Sequence, residues 1–374
     1  MKTWFLGIYY YLRGVLKIRQ TKIYFLESHI FGHLVLEYAE VLSQLNKTPM
    51  RILVCFIKPV CNGRLEKILK QNLRKNSCYL ANNYDALRFA LRIDQALELR
   101  FHKKRKFIKA ADFDLSHQRA SELSEMIELP LIDSRKASAL LERDTLSVAI
   151  LNRSAEYKKY REESSIYLFR NFDFQSFNRT IEENDEVHFF RLGQYQKDLD
   201  SIQKLSKYRN LTQFSENLEL DEQTDLALMR NLDGYFGADT GPLWFFLLRS
   251  VPVAVVNEIP LMQRATTLPH KFIVIPKLIW DTKEKKLLTL SQMTSPFVAN
   301  LRFTNDYVSN GLEVVDNSED QIAEFFSEWR SLSFHSTSVY DNERMDWIRS
   351  KTKCSNLPSI SETFLRSYAK QLEI

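Results

Sequence analysis

Short apolar runs alternate with longer segments of helical periodicity along most of the chain, a pattern that predicts parallel sheets covered by helices. Residues 22–26 predict a first strand. After a polar turn, Glu27-Ser28-His29, and the Phe31-Gly32-His33 step, Leu34, Leu36, Tyr38, Val41, Leu42 and Leu45 recur at helical spacing, and residues 51–57 form a second apolar run. A strand, a helix and a strand in that order open a parallel sheet, because parallel neighbours need a long crossover. Residues 62–141 read as mostly helical and charged, and complete this first unit.

The alternation restarts at residues 146–151, with Asn152-Arg153-Ser154 in the loop that follows. Residues 174–183 predict a helix, 188–191 a strand, 221–232 a helix, 234–237 a short buried strand, 242–249 a helix and 252–257 a strand. Such an order implies a doubly wound sheet, with ligands beyond the carboxyl ends of its strands. From about residue 305 the chain is polar and helical, and Ile322, Phe325, Phe326 and Trp329 make one apolar face. No repeat of solenoid length is visible.

Composition narrows the picture. A chain of 374 residues exceeds what one core usually serves, and 44% hydrophobic with 26% charged residues is the balance of a folded protein. Only 9 glycines are present, and such scarcity favours glycine where the backbone must turn sharply or approach a ligand. The net charge of +5 suits a phosphorylated ligand or an anionic membrane face. Nucleic acid is not indicated, because the one basic run, His102 to Lys106, has the length of a solvated helix end. Cys55, Cys61, Cys78 and Cys354 show no metal-type pairing and are too sparse for a disulfide scaffold, which fits a reducing cytoplasm. Residues 1–20 interleave Trp4, Phe5, Tyr9, Tyr10 and Tyr11 with Lys2, Arg13, Lys17 and Arg19. That stretch is too short and charged to span a bilayer; an amphipathic helix on the inner membrane face and a helix packed on the protein's own surface both fit it.

Chemistry concentrates in Gly237-Ala238-Asp239-Thr240-Gly241-Pro242, where a strand runs through a small-residue turn into a helix with proline at its first position. Amides around Thr240 and Gly241, with the helix dipole behind them, suit an anion such as a diphosphate, while Asp239 would accept from sugar hydroxyls. The alternative is an ordinary Asp/Thr helix cap with a glycine turn. Arg153, Arg170 and Arg191 lie at strand ends or in loops after them and could pair bidentately with phosphate, or be ordinary solvated arginines. Asn257 and Glu258 end a predicted strand, where ribose or sugar contacts are common and loop caps equally so. In the first unit His33 is a candidate general base, with Glu37 one helical turn along as competing base or orienting partner, and Glu27 and His29 as weaker candidates; a packing histidine is the plain alternative.

Several of these segments in order, Val148 to Tyr157, Phe169-Arg170-Asn171, Phe190-Arg191-Leu192-Gly193, Gly237 to Pro242 and Pro252 to Asn257, resemble a family of bacterial glycosyltransferases associated with surface-polysaccharide biosynthesis. The order is also similar to the donor half of GT-B enzymes, including heptosyltransferase-type proteins with an Asp-Thr-Gly-Pro turn. Gly32-His33-Leu34 and Cys61-Asn62 look like the family's N-terminal landmarks. Two departures stand out. Where the family more often shows a His-Val-Arg-Asp-like start, this chain has Leu151-Asn152-Arg153-Ser154, so only Arg153 carries over. Heptosyltransferase-type enzymes place histidine soon after the turn, whereas here Leu243, Trp244 and Phe245 follow, which speaks against an ADP-heptose donor.

The resemblance implies an α/β, GT-B-like chain with two Rossmann-like domains facing across a cleft and a helical C-terminal segment. Its parts would be an amphipathic helix (1–20), an acceptor-side domain (21–143), a nucleotide-sugar domain (144–304) and a helical extension (305–374). It further implies metal-independent transfer from a nucleoside-diphosphate sugar to a glycan or lipid-linked glycan, with no cofactor, in the cytoplasm or on the inner membrane face. A nucleotide-sugar epimerase or phosphorylase on the same fold, and a non-catalytic scaffold, are the competing readings.

Overall fold

The computed structural model describes residues 21–26, 31–47, 51–57, 60–81, 117–126, 128–141, 145–153, 167–192, 207–213, 222–261, 272–334, 342–354 and 357–374. The expected N-terminal helix, Glu27, His29, the basic run at 102–106 and the stretch 154–157 lie outside the described residues. The chain divides into two compact units, residues 1–115 with 122–132, and residues 116–121 with 133–374.

In the first unit β1 (Thr21–Leu26), β2 (Arg51–Phe56) and β3 (Tyr79–Ala81) form a parallel sheet in the order β1-β2-β3. The crossover between β1 and β2 is α1 (Phe31–Lys47), in which Leu34, Val35, Leu36, Tyr38, Ala39 and Val41 are all buried. Between β2 and β3 runs α2 (Gly63–Lys75), started by Asn62, whose side chain accepts the Leu65 amide at 2.7 Å. Its apolar stripe is Leu65, Leu69 and Leu73, one residue per turn, which turns a charged helix onto the sheet. At three residues, β3 is too short for its alternation to stand out from the helical pattern around it.

The second unit holds a seven-stranded, all-parallel sheet, built from β4 (Leu146–Leu151), β5 (Val187–Arg191), β6 (Leu211–Gln213), β7 (Gly234–Gly237), β8 (Val253–Glu258), β9 (Phe272–Pro276) and β13 (Ser359–Ile360). Its order is β13-β9-β8-β7-β4-β5-β6. The chain therefore winds from β4 outward through β5 to β6, then returns to the other side of β4 and continues through β7, β8 and β9. Around the sheet stand α3 (Arg135–Leu140), α4 (Asn178–Glu182), α5 (Glu222–Asn231) and α6 (Gly241–Leu248). Where one helix was expected over 174–183, Asp173 caps a 3-10 turn, Phe174–Phe177, that runs into α4.

After β9, β10 (Leu278–Asp281) pairs antiparallel with β11 (Lys286–Leu287) and β12 (Leu312–Val315) in a small second sheet. The C-terminal stretch is mostly helical, with α7 (Glu319–Phe334), α8 (Asn342–Thr352) and α9 (Glu362–Ser367), but it also supplies β12 and the edge strand β13. The apolar face read from the sequence is what packs α7 on the sheet: Phe325, Phe326 and Trp329 lie with ring centroids 5.4, 5.0 and 5.7 Å from Phe236. Both units are thus α/β with parallel sheets, the class expected of a GT-B-like chain.

Candidate functional site

Reversal of winding direction between β4 and β7 makes the region beyond their carboxyl ends the topological switch point of the sheet, the place where open α/β sheets generally bind ligands. The Gly237–Pro242 turn stands on one side of this point and Asn152-Arg153 on the other. The ladder carries the two ends together, Leu151 pairing with Gly237 and the Ala238 amide donating to the Leu151 carbonyl at 2.7 Å. A Cβ on Gly237 would lie 2.3 Å from that carbonyl oxygen, so close approach of the two backbones requires glycine there.

Beyond Gly237 the side chains that could cap the helix are engaged elsewhere. Thr240 is the N-cap of α6 with extended backbone (φ −138°, ψ 173°), yet it places no side-chain hydrogen bond on the helix. Its hydroxyl sits 3.1 Å from the Tyr235 hydroxyl, which also donates to the Ala238 carbonyl. Asp239 directs its carboxylate to the Arg170 guanidinium, which reaches the Asp239 carbonyl as well at 3.3 Å. The ordinary Asp/Thr cap is therefore not what this turn forms. Gly241 is the first residue of α6 and Pro242 the second, one position later than the sequence suggested. The Leu243 amide closes on Thr240 at 3.1 Å, and the amides of Thr240 and Gly241 donate to no atom among the described residues.

Cationic groups gather around this turn. Arg153 follows β4 with its guanidinium carbon 6.0 Å from the Tyr167 ring centroid. Asn152 donates to the Phe172 carbonyl at 2.9 Å and the Phe172 amide donates to the Arg153 carbonyl at 3.1 Å, so segment 167–172 is stitched to the end of β4. Lys277, directly after β9, is 2% exposed and joins the same segment, donating to the Asn171 carbonyl at 2.7 Å and pairing with Asp316 at 2.5 Å. Burial pushes its ammonium below the ordinary lysine range; Asp316 pushes it back up, and Arg153 and Arg170 push it down again. Tyr235, buried beneath the turn, is held above the ordinary phenol range by burial, with Asp239 and Glu258 adding to the rise and the Thr240 hydrogen bond opposing it.

Arg191 ends β5, one strand further from the turn than Arg153, and is buried with its guanidinium carbon 4.0 Å from the Phe174 ring centroid. Asn257 (φ +57°) is the last residue but one of β8; its side-chain oxygen accepts both the amide and the Nδ2 of Asn317, at 2.9 and 2.7 Å. Its own Nδ2 and the Asn317 Oδ1, both buried, meet no hydrogen-bond partner among the described residues. Glu258 beside it is 2% exposed. In the first unit His33 is partly exposed on α1 with Nδ1 3.6 Å from the Oε1 of a fully buried Glu37.

The structure thus brings Arg153, Arg170, Gly237, Asp239, Thr240, Gly241 and Pro242 to one switch point, leaves Arg191 one strand away and ties Asn257 to Asn317. Lys277, Asp316, Asn317 and Tyr235 were not singled out by sequence. The signal for Lys277 was its place directly after the apolar run Phe272–Pro276, a lone lysine at a strand's carboxyl end. Among the described residues no group of three His, Cys, Asp or Glu side chains is placed to hold a metal ion, and no helix is long and apolar enough to cross a membrane.

No protein-family model matches the chain, and no curated protein matches it. Among solved structures it is similar to a family 9 glycosyl transferase from Veillonella parvula, with 11% identity over 85% of this chain and 98% of that one at a TM-score of 0.47. It is also similar to E. coli ADP-heptose LPS heptosyltransferase II, with 12% identity over 69% of this chain and 90% of that one at a TM-score of 0.38. A third similar structure is TibC, an iron-containing dodecameric glycosyltransferase from enterotoxigenic E. coli, at 13% identity over 65% of this chain and a TM-score of 0.36. The chain spans 60% of the length of TibC.

Proposed function

We propose that this chain is a glycosyltransferase that moves a sugar from a nucleoside-diphosphate sugar to a hydroxyl acceptor. The observation that carries the reading is the start of α6: at the switch point, its Thr240 and Gly241 amides are left uncapped while Asp239 and Thr240 turn their side chains to Arg170 and Tyr235. Backbone donors at a helix start, with arginines beside them, are suited to the charge that develops on a departing diphosphate.

In the reaction the acceptor oxygen attacks the anomeric carbon and the bond from that carbon to the phosphate oxygen breaks. The nucleoside diphosphate leaves with the electron pair, and the acceptor proton passes to a base. His33 takes that role, with buried Glu37 beside it to orient the imidazole. Arg153, Arg170 and Arg191 supply positive charge, and Asn257, with Asn317, offers an amide donor and a carbonyl acceptor to a sugar or ribose hydroxyl. Helix donors and guanidinium groups can neutralise the leaving group themselves, so transfer is metal-independent. The acceptor is a glycan or lipid-linked glycan of a bacterial surface polymer, met in the cytoplasm or on the inner membrane face.

The test is a panel of UDP-, GDP-, ADP- and CMP-sugars followed by thermal unfolding and by donor consumption with and without glycan acceptors. One donor is expected to stabilise the chain, by about 2.7 kcal/mol at a hundred times its dissociation constant. It is consumed only when acceptor is present, and a chelator leaves the rate unchanged. Consumption without acceptor would identify an epimerase, and no stabilisation by any member would leave a scaffold.

A further inference from the structure

The ammonium of Lys277 is a charge buried at a cost. At 2% exposure it has lost nearly all its hydration, and its carboxylate partner Asp316 is 43% exposed and so compensates only in part. Two further cations, Arg153 and Arg170, add repulsion. A methionine would fill the same volume with no such penalty, and buried charges of this kind concentrate at functional sites. What the ammonium holds is specific: the carbonyl of Asn171, the residue after Arg170. Segment 167–172 is then fixed at two places, at the end of β4 through Asn152 and Arg153, and at the end of β9 through Lys277. Directly before these anchors, at Asn171 and Phe172, Arg170 reaches the Asp239 side chain and carbonyl.

We propose that Lys277 is a positioning residue of the diphosphate site, holding Asn171 so that Arg170 and Arg153 stand beside the uncapped start of α6. The inference rests on the anion-site reading given above and names the group that assembles it. Lys277 acts through Arg170, so the two residues form one unit, and removing either removes most of what both provide.

The experiment is a double-mutant cycle on the full chain, with inorganic pyrophosphate and with UDP, GDP, ADP and CDP as probes, read by titration calorimetry at fixed ionic strength. Lys277→Met is expected to weaken pyrophosphate at least tenfold, as is Arg170→Gln, while the double variant falls within about twofold of the weaker single one. Lys277→Arg, which keeps charge and donors, is expected to stay within threefold of the parent. A folded Lys277→Met that binds like the parent overturns the proposal, as does a double variant whose loss is the product of the two single losses. If Lys277→Met does not fold, Lys277→Gln, which keeps an N–H donor of shorter reach, carries the same cycle under the same criteria. Should the parent bind neither pyrophosphate nor any nucleoside diphosphate, the anion site itself falls and this proposal with it; parent binding with an unaffected Lys277 variant sinks the positioning role alone.

Discussion

Replacing Gly237 by alanine tests the geometry on which the site depends. The added Cβ would meet the Leu151 carbonyl oxygen at 2.3 Å, its amide nitrogen at 2.9 Å and its carbonyl carbon at 3.1 Å. All three are backbone atoms of β4, which no rotamer change can move. Restoring ordinary contact near 3.4 Å requires the ends of β4 and β7 to separate by about an ångström, the scale of overpacking that costs about 1–3 kcal/mol. Separation also breaks the 2.7 Å hydrogen bond from Ala238 to Leu151, worth about another 1 kcal/mol. The expected loss is therefore about 2–4 kcal/mol, read as a shift of the urea midpoint with an unchanged slope.

Stability alone would not tie Gly237 to a ligand, and Gly234→Ala supplies the comparison. Its Cβ would meet the Trp329 ring at 2.9 Å and the Pro252 carbonyl at 3.1 Å, at the opposite end of the same strand. Trp329 is buried, so a loss of about 1–3 kcal/mol is expected there too. Under conditions where both variants are fully folded, Gly234→Ala should bind pyrophosphate as the parent does, and Gly237→Ala at least tenfold more weakly because the turn is displaced. Equal binding by the two variants, or a Gly237→Ala as stable as the parent, would refute the reasoning.

Three further outcomes follow from side chains held away from water in the second unit. Asp225 carries a carboxyl pushed up from 3.8 to about 6 by burial and by Glu222, so the folded state keeps a proton that the unfolded chain has lost between those values. Stability should therefore fall as pH rises from about 4 to 6. Asp225→Asn should flatten that slope and add up to about 3 kcal/mol at pH 7, at about 1.36 kcal/mol per pH unit, as urea unfolding across pH would show. Asn257 has a left-handed backbone and accepts two hydrogen bonds from buried Asn317, so Asn257→Ala should cost about 3 kcal/mol and Asn257→Gly about 1 kcal/mol less; equal losses would mean that φ plays no part. Arg170→Gln strands the poorly exposed Asp239 carboxylate and should cost about 2 kcal/mol, part of which Asp239→Asn in the same chain should return, as a thermal-melt comparison of the three variants would reveal.

Most of the second unit's α/β order was legible because its strands β4, β5, β7 and β8 are buried apolar runs of four to six residues set between helical periods. Less could be read where elements are short. β6 and β13 have three and two residues, below the length at which alternation differs from chance, and β12 pairs through backbone bonds that its mixed side chains do not announce. The turn at Gly237 was visible because two of only 9 glycines fall within five residues there, directly before a proline that suits a helix start. Its partners were not: Lys277 lies 38 positions beyond Asp239 in the chain and reaches the site only because β9 runs parallel to β7 two strands away. Arg170 was named from the sequence as a phosphate ligand, while its engagement with Asp239 depends on segment 167–172 folding back over the strand ends.

That engagement bears on how the turn works. A threonine or aspartate cap typically stabilises a helix start by about 1 kcal/mol, and here both residue types are present within reach of α6 and neither caps it. Thr240 is drawn aside by the Tyr235 hydroxyl, a group fixed inside the core, and Asp239 by Arg170, which is carried on a segment anchored by a buried lysine. Arg170 thereby holds the Asp239 carboxylate off the Gly241 amide, and Tyr235 draws the Thr240 hydroxyl from the Leu243 amide, which closes on the Thr240 carbonyl instead. A turn selected for helix stability alone would have needed neither. The arrangement makes sense if the Thr240 and Gly241 amides must stay open to an anion, with Arg170 poised either to hold Asp239 or, when phosphate oxygens arrive, to share its donors with them.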